Sequence, residues 1–301
     1  IDLACEAKAD FFKIQHYKTE NFIGSTAPEW IERLKEKELT DDNVLKIRDK
    51  CNEKGISFLC TAHEQESLEF LDKELNVPAF KIGSGEVDNW EFIEDIASRG
   101  KPIILSTGMY QIEQIKQVID VIYKSGCTEL CILHCVTNYP AKDSNINLDV
   151  IRQIKDLFEG PVGYSDHTIG IAIPLASIAL GANILEKHIT IDKNVPNSQD
   201  WKVACDQSNF NQLVNDIRRI ENSLGGEVKK ISTEEMASID WARKSITSVS
   251  SLSPGDIITK NSICMQRPGT GIPGNELHKV IGRTIVERVA KGGLITWDHI
   301  K

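Results

Sequence analysis

Short apolar, β-branched runs recur along the first two thirds of the chain, and each is followed by a longer stretch whose apolar residues return every three or four positions. FFKIQHY (11–17), ISFLCTA (56–62), AFKIGSGE (79–86), PIILSTG (102–108), LCILHCVTNYP (130–140), PVGYSDHT (161–168) and ANILEKHIT (182–190) read as seven strands. Helical patterns over 41–54, 65–75, 90–99, 112–124, 148–158 and 171–180 separate them, with a loop around 23–28. Parallel neighbours cannot be joined by a tight hairpin, so this alternation implies parallel strands linked by right-handed crossovers. The chain opens on IDLACEAKAD, the second half of an amphipathic helix without a capping residue or an initiator Met, and this predicts a preceding segment with one more strand. Seven and one make eight. The expected fold is α/β, a (β/α)8 TIM barrel, since no GxGxxG opens a helix as in a doubly wound dinucleotide fold.

The pattern then changes. A helix over 206–224 runs into GGEVKKISTEE, a polar, glycine-marked stretch, and residues 243–301 carry short β-rich runs punctuated by SPGD, RPGTG and KGG. The expected organisation is a catalytic barrel over 1–224, a linker over 225–242 and a small β-rich domain over 243–301.

Composition narrows the function. A net charge of −9 argues against a nucleic-acid partner, which needs clustered Lys and Arg. No apolar run approaches the ~20 residues of a membrane span, so no membrane partner is expected. The eight cysteines form no CxxC pair and no short disulfide framework, as expected of reduced thiols in the cytoplasm.

Polar groups collect at the strand ends, where a barrel builds its site: Lys13 and Gln15, Thr61, Lys81 with Ser84 and Glu86, Ser106 and Thr107, Thr137 and Tyr139, Ser165 and His167, and His188. One histidine at a strand end is more often a hydrogen-bonded structural residue. Two on neighbouring strands, His167 and His188, suit an open site for a divalent cation completed by water and substrate oxygens. Asp166 either orients His167 or faces away on the pleat. Lys81 and Ser84 flank a glycine-marked turn and together suit a phosphate; the plainer alternative is that Lys81 extends to solvent or pairs with Glu86. His134 and Cys135 read as core residues.

Taken together, FFKIQHYK, AFKIGSGE, KPIILSTGM, LHCVTNYP, GYSDHT and LEKHIT, with RKSI and RPGTGI in the small domain, resemble the sialic acid synthase family over almost the whole chain. Its members condense phosphoenolpyruvate with an N-acyl hexosamine to make nonulosonic acids, and the last segment resembles their antifreeze-like, or SAF, domain. The resemblance implies that His167 and His188 hold Mn2+ or Mg2+. It places Lys13, Thr61, Lys81, Ser84, Thr137 and Ser165 around phosphoenolpyruvate, and Gln15, Tyr139 and Asp200 on the sugar side. Glu86, His188 and Asp200 are the implied catalytic groups. Arg267 is implied to reach the sugar's N-acyl group from a partner subunit in a domain-swapped homodimer. Two features depart from the family pattern. Its EIGxNHxG segment is absent from the sequence, and SQDWK puts Trp201 and Lys202 where His and Lys are usual, marking the place where sugar choice is decided. Another phosphoenolpyruvate-using keto-acid synthase and a non-catalytic sugar-binding relative remain the alternatives.

Overall fold

Seven parallel strands, hydrogen-bonded in chain order, form the frame of the first part of the molecule: β1 Phe11–His16, β2 Ser57–Ala62, β3 Phe80–Ile82, β4 Ile103–Ser106, β5 Leu130–Cys135, β6 Val162–Asp166 and β7 Leu185–Lys187. The computed structural model describes residues 1–195, 198, 200–226 and 228–301, and divides into two units, Ile1–Gly225 and Gly226–Lys301. Gln199 of SQDWK and Glu227 of the expected linker fall outside the described residues.

Strands about 4.8 Å apart in a flat sheet would set β1 and β7 roughly 29 Å from each other. Instead Lys13 Nζ on β1 lies 3.9 Å from Glu186 Oε1 on β7. The sheet is therefore curled, with a concave inner face. Because side chains alternate along a strand, each strand splits its residues between two environments. Phe12, Ile14, Phe58, Cys60, Phe80, Ile82, Ile103, Leu105, Ile132, Val162 and Tyr164 join the hydrophobic core beneath the helices. The intervening positions line the inner face, and parallel register levels them: Gln15 beside Thr61, Thr61 beside Lys81, and Cys135 beside Ser165 beside Glu186. Gly163 on β6 has no room for a side chain, since a Cβ there would sit 2.3 Å from the Ile184 carbonyl oxygen.

The helices stand close to their expected places, at Asp41–Lys54, Gln65–Lys73, Trp90–Ser98, Ile112–Lys124, Val150–Lys155, Ala172–Ala179 and Gln207–Leu224. Local chemistry sets their ends. Thr40 accepts from the Asn43 amide at the start of Asp41–Lys54, and Gly55 closes that helix with φ of 74°. Two expectations change. AFKIGSGE is strand only to Ile82, and Ser84–Glu86 turn as a 3-10 helix because the Gly-Ser-Gly run has little tendency to stay in the ladder. The loop at 23–28 is also flanked by short helices, Thr19–Phe22 and Pro28–Lys35, the second begun by a proline at its first turn.

In the second unit β8 (Ser245–Ser248) pairs antiparallel with β9 (Ile263–Gln266) over a small core that includes Ile246, Ile258, Ile272, Val280, Ile285 and Ile295. The stretch expected as a plain linker carries two helical turns, Thr233–Met236 and Ile239–Ala242. The second turn is tied to the β-rich part, for the Gly269 amide donates to the Asp240 carbonyl at 2.6 Å. Among the described residues no helix is long and apolar enough to cross a membrane.

Candidate active site

The inner face gathers three charges that lie far apart in the chain. Lys81 is almost fully buried, and its Nζ donates to Ser106 Oγ at 2.7 Å and to the Ile82 carbonyl at 2.9 Å. The same Nζ lies 3.7 Å from Glu186 Oε2, so Lys81 neither reaches solvent nor pairs with Glu86. Lys13 approaches the other carboxylate oxygen of Glu186, and Ser165 Oγ donates to it at 3.1 Å. Burial first, then the repulsion of Lys13, holds the Lys81 ammonium below the ordinary lysine range, while Glu186 pulls the other way. For Glu186 burial alone would raise the carboxyl, but Lys13, Lys81 and His188 outweigh it and bring it down to about 2.

A second layer of hydroxyls stands beside this cluster. Ser84 Oγ accepts from the Gly108 amide at 2.9 Å, and a Cβ on Gly108 would fall 2.1 Å from Thr137 Oγ1. Gly108 thus lets Ser84 and Thr137 close on one spot. Thr61 is buried one strand away from Lys81. Cys135 is buried as expected, yet it points to the inner face, in register beside Ser165 and with its sulfur 3.8 Å from His167 Nδ1. His134 faces the other way, into the helices, with Nε2 2.7 Å from the Ile146 carbonyl.

The two histidines follow at the mouth, with ring centroids 5.4 Å apart. His167 Nδ1 meets the Val136 carbonyl at 2.9 Å, which requires the proton on that nitrogen and leaves the Nε2 lone pair available. His188 Nδ1 is 3.7 Å from Asp200 Oδ2. Burial lowers both imidazoles, His188 to about 4, so both are neutral near pH 7. Tyr139 packs on His167 at 4.0 Å with the rings tilted by 34°, and stands edge-on to His188 at 5.9 Å. The two neutral imidazoles present nitrogen lone pairs of the kind that a divalent cation takes. No group of three or more His, Cys, Asp and Glu is arranged to hold a metal among the described residues, so the remaining ligands of such an ion would be substrate or water oxygens. Asp166 serves neither histidine. It turns to the outer face and pairs with Lys187.

The other expected residues have surroundings of their own. Glu86 accepts from Asn89 at 2.7 Å and sits 3.8 Å from His63, itself stacked on Phe22, in a separate groove of about 810 Å3. Gln15 is exposed on β1. Arg267, in the second unit, lies over the Trp241 ring at 5.4 Å. A cavity of about 680 Å3 beside the histidines is lined by Thr137, Tyr139, Trp201, Lys202 and Arg33. Glu186, Gly108 and the inward face of Cys135 were not singled out from the sequence. A period-2 reading of LEKH would have placed Glu186 on the same face as His188.

Known proteins resemble this chain over most of its length. The profile of the NeuB family matches residues 1–229, and that of the SAF domain matches residues 243–301. A protein of Methanocaldococcus jannaschii, described only as uncharacterized, is 37% identical over 99% of this chain and 89% of its own length. The N,N'-diacetyllegionaminic acid synthase of Legionella pneumophila is 34% identical over 99% of this chain and 88% of its own. Among solved structures, the N-acetylneuraminic acid synthetase of Leptospira borgpetersenii superposes with a TM-score of 0.74 at 32% identity, covering 79% of this chain and 82% of that one.

Proposed function

This chain belongs to the NeuB family, and from that premise we propose that it is a nonulosonic acid synthase, joining phosphoenolpyruvate to an N-acylated mannosamine-type sugar. The observation that carries the reading is the meeting of Lys13, Lys81 and Ser165 from three separate strands beside two neutral imidazoles. Two ammonium groups with the hydroxyls of Thr61, Ser84, Thr137 and Ser165 suit a ligand bearing both a phosphate and a carboxylate. Holding it against the acceptor turns a two-body encounter into a one-body step, an effect of roughly 7–11 kcal/mol in well-oriented systems. The C2=C3 electron pair of phosphoenolpyruvate forms the new bond to the aldehyde carbon, whose oxygen takes up a proton. Water then adds at C2, and phosphate departs with the C–O pair, leaving a 2-keto acid.

In this reading His167 and His188 hold Mn2+ or Mg2+, which supplies Lewis acidity to the aldehyde oxygen. Tyr139 packs against the first of these rings and, with Gln15 and Asp200, orients the sugar. The seven strands belong to a TIM barrel, and the active form is a homodimer in which Arg267 serves the N-acyl group. Trp201 and Lys202 line the cavity beside the histidines and set the choice of acceptor.

The test is phosphate release from phosphoenolpyruvate with Mn2+ and a panel of N-acyl mannosamine-type sugars. Turnover with at least one sugar, abolished in folded His167→Ala and His188→Ala variants, is the expected result. Folded protein that releases no phosphate with any sugar overturns the reading in favour of a non-catalytic sugar binder.

A further inference from the structure

Among the described residues Glu186 is the one carboxylate set between the two lysines, and its contacts are unlike those of a closed ion pair. Its oxygens lie 3.9 Å from Lys13 and 3.7 Å from Lys81, beyond the 2.7–2.9 Å of a charge-assisted hydrogen bond. Its hydrogen bond comes from a neutral group, Ser165 Oγ, while Lys81 gives its own hydrogen bonds to Ser106 and to the Ile82 carbonyl. Both ammonium groups thus feel the carboxylate as charge without being bound to it. With Glu186 ionised, the three groups sum to a single positive charge.

We propose that Glu186 is an affinity-setting residue, an intramolecular competitor for the charge of Lys13 and Lys81. It weakens every anion that enters between them. The competition acts on every such anion in proportion to the charge that it places between the lysines. Phosphoenolpyruvate brings a carboxylate as well as a phosphate and can engage the hydroxyls of Ser84, Thr137 and Thr61 besides the lysines. Inorganic phosphate, the product of the proposed reaction, has only its own oxygens. Glu186 thereby weakens substrate and product alike and speeds the departure of phosphate. The inference rests on the reading of this mouth as a phosphoenolpyruvate site.

Glu186→Gln keeps the shape and the acceptor for Ser165 while removing the charge. Titration calorimetry with inorganic phosphate on the whole chain is expected to show binding about tenfold tighter in the variant, the effect of one removed charge at this distance after screening. Phosphate should likewise inhibit turnover at about tenfold lower concentration, and KM for phosphoenolpyruvate should fall without a rise in kcat. Glu186→Asp, which draws the carboxylate back by one methylene, is expected to tighten phosphate by a smaller factor, and it decides the matter if the Gln variant does not fold. Phosphate affinity that is unchanged or weaker in the folded variants overturns the proposal. Phosphate binding needs no acceptor sugar, so the two readings fail separately. Tighter phosphate without turnover on any sugar would leave the competitor standing and remove the synthase; turnover with unaltered phosphate affinity would do the reverse.

Discussion

Strands β6 and β7 carry two lysine–carboxylate arrangements, one on each face of the same sheet, and they are built to opposite ends. On the outer face Lys187 and Asp166 are completely buried and in contact at 2.5 Å. Further hydrogen bonds complete the pair there: Asp166 also accepts from Tyr164 Oη, the Thr168 amide and Thr168 Oγ1, and Lys187 donates to the Thr168 carbonyl. On the inner face Glu186 stands off from Lys13 and Lys81 at 3.7–3.9 Å, with about a fifth of its side chain open to solvent. A lysine and a carboxylate thus give a closed pair on one face and, on the other, an open set whose charges stand apart. What separates them is how many further hydrogen bonds complete each charge.

The largest break in the comparison comes from the closed pair. Asp166→Ala leaves the Lys187 ammonium buried and unpaired and is expected to cost about 3–5 kcal/mol in denaturant unfolding. A loss below about 1 kcal/mol would mean that the outer pair is no lock. Cutting the open set acts on ligand binding instead. Lys81→Met fills the same volume and, being without a tightly bound counter-charge to strand, is expected to leave the unfolding midpoint near that of the parent while weakening phosphoenolpyruvate binding about 100-fold in calorimetry. An unfolded variant, or one with undiminished affinity, would place Lys81 with the structural pairs. The smallest effect sharpens the contrast. Raising ionic strength roughly tenfold is expected to weaken phosphate binding several-fold, yet to leave the stability gap between parent and Asp166→Ala unaltered, because salt screens a solvent-connected cluster and not a sealed one. Equal salt dependence of both quantities would erase the distinction.

Local pattern carried far in this chain. The seven strands and the long helices follow from hydrophobic period, and the strand-end residues Lys13, Lys81, Ser165, His167 and His188 were legible because a parallel α/β chain turns every strand end to one side. Counted back by two from His188 and Thr137, the same alternation puts Glu186 and Cys135 inward as well. What no short stretch says is which distant side chains each of them meets there, since that waits on the register between strands and on the curl of the sheet. Asp166 is the converse case: it sits beside a candidate ligand and belongs to the opposite face.

By itself, then, the order of residues determined the element types, the parallel connectivity and the supply of cations, hydroxyls and imidazoles, since these depend on neighbours a few positions apart. The curl of the sheet was decided only in three dimensions. It brings β1 and β3 to β7, sets Glu186 between two lysines from distant strands, places Gly108 so that Ser84 and Thr137 can meet, and draws Glu86 away into a groove with His63. Those outcomes rest on contacts between residues up to most of a domain apart, where the balance of burial, charge and hydrogen bonding has no signature in any short stretch of sequence.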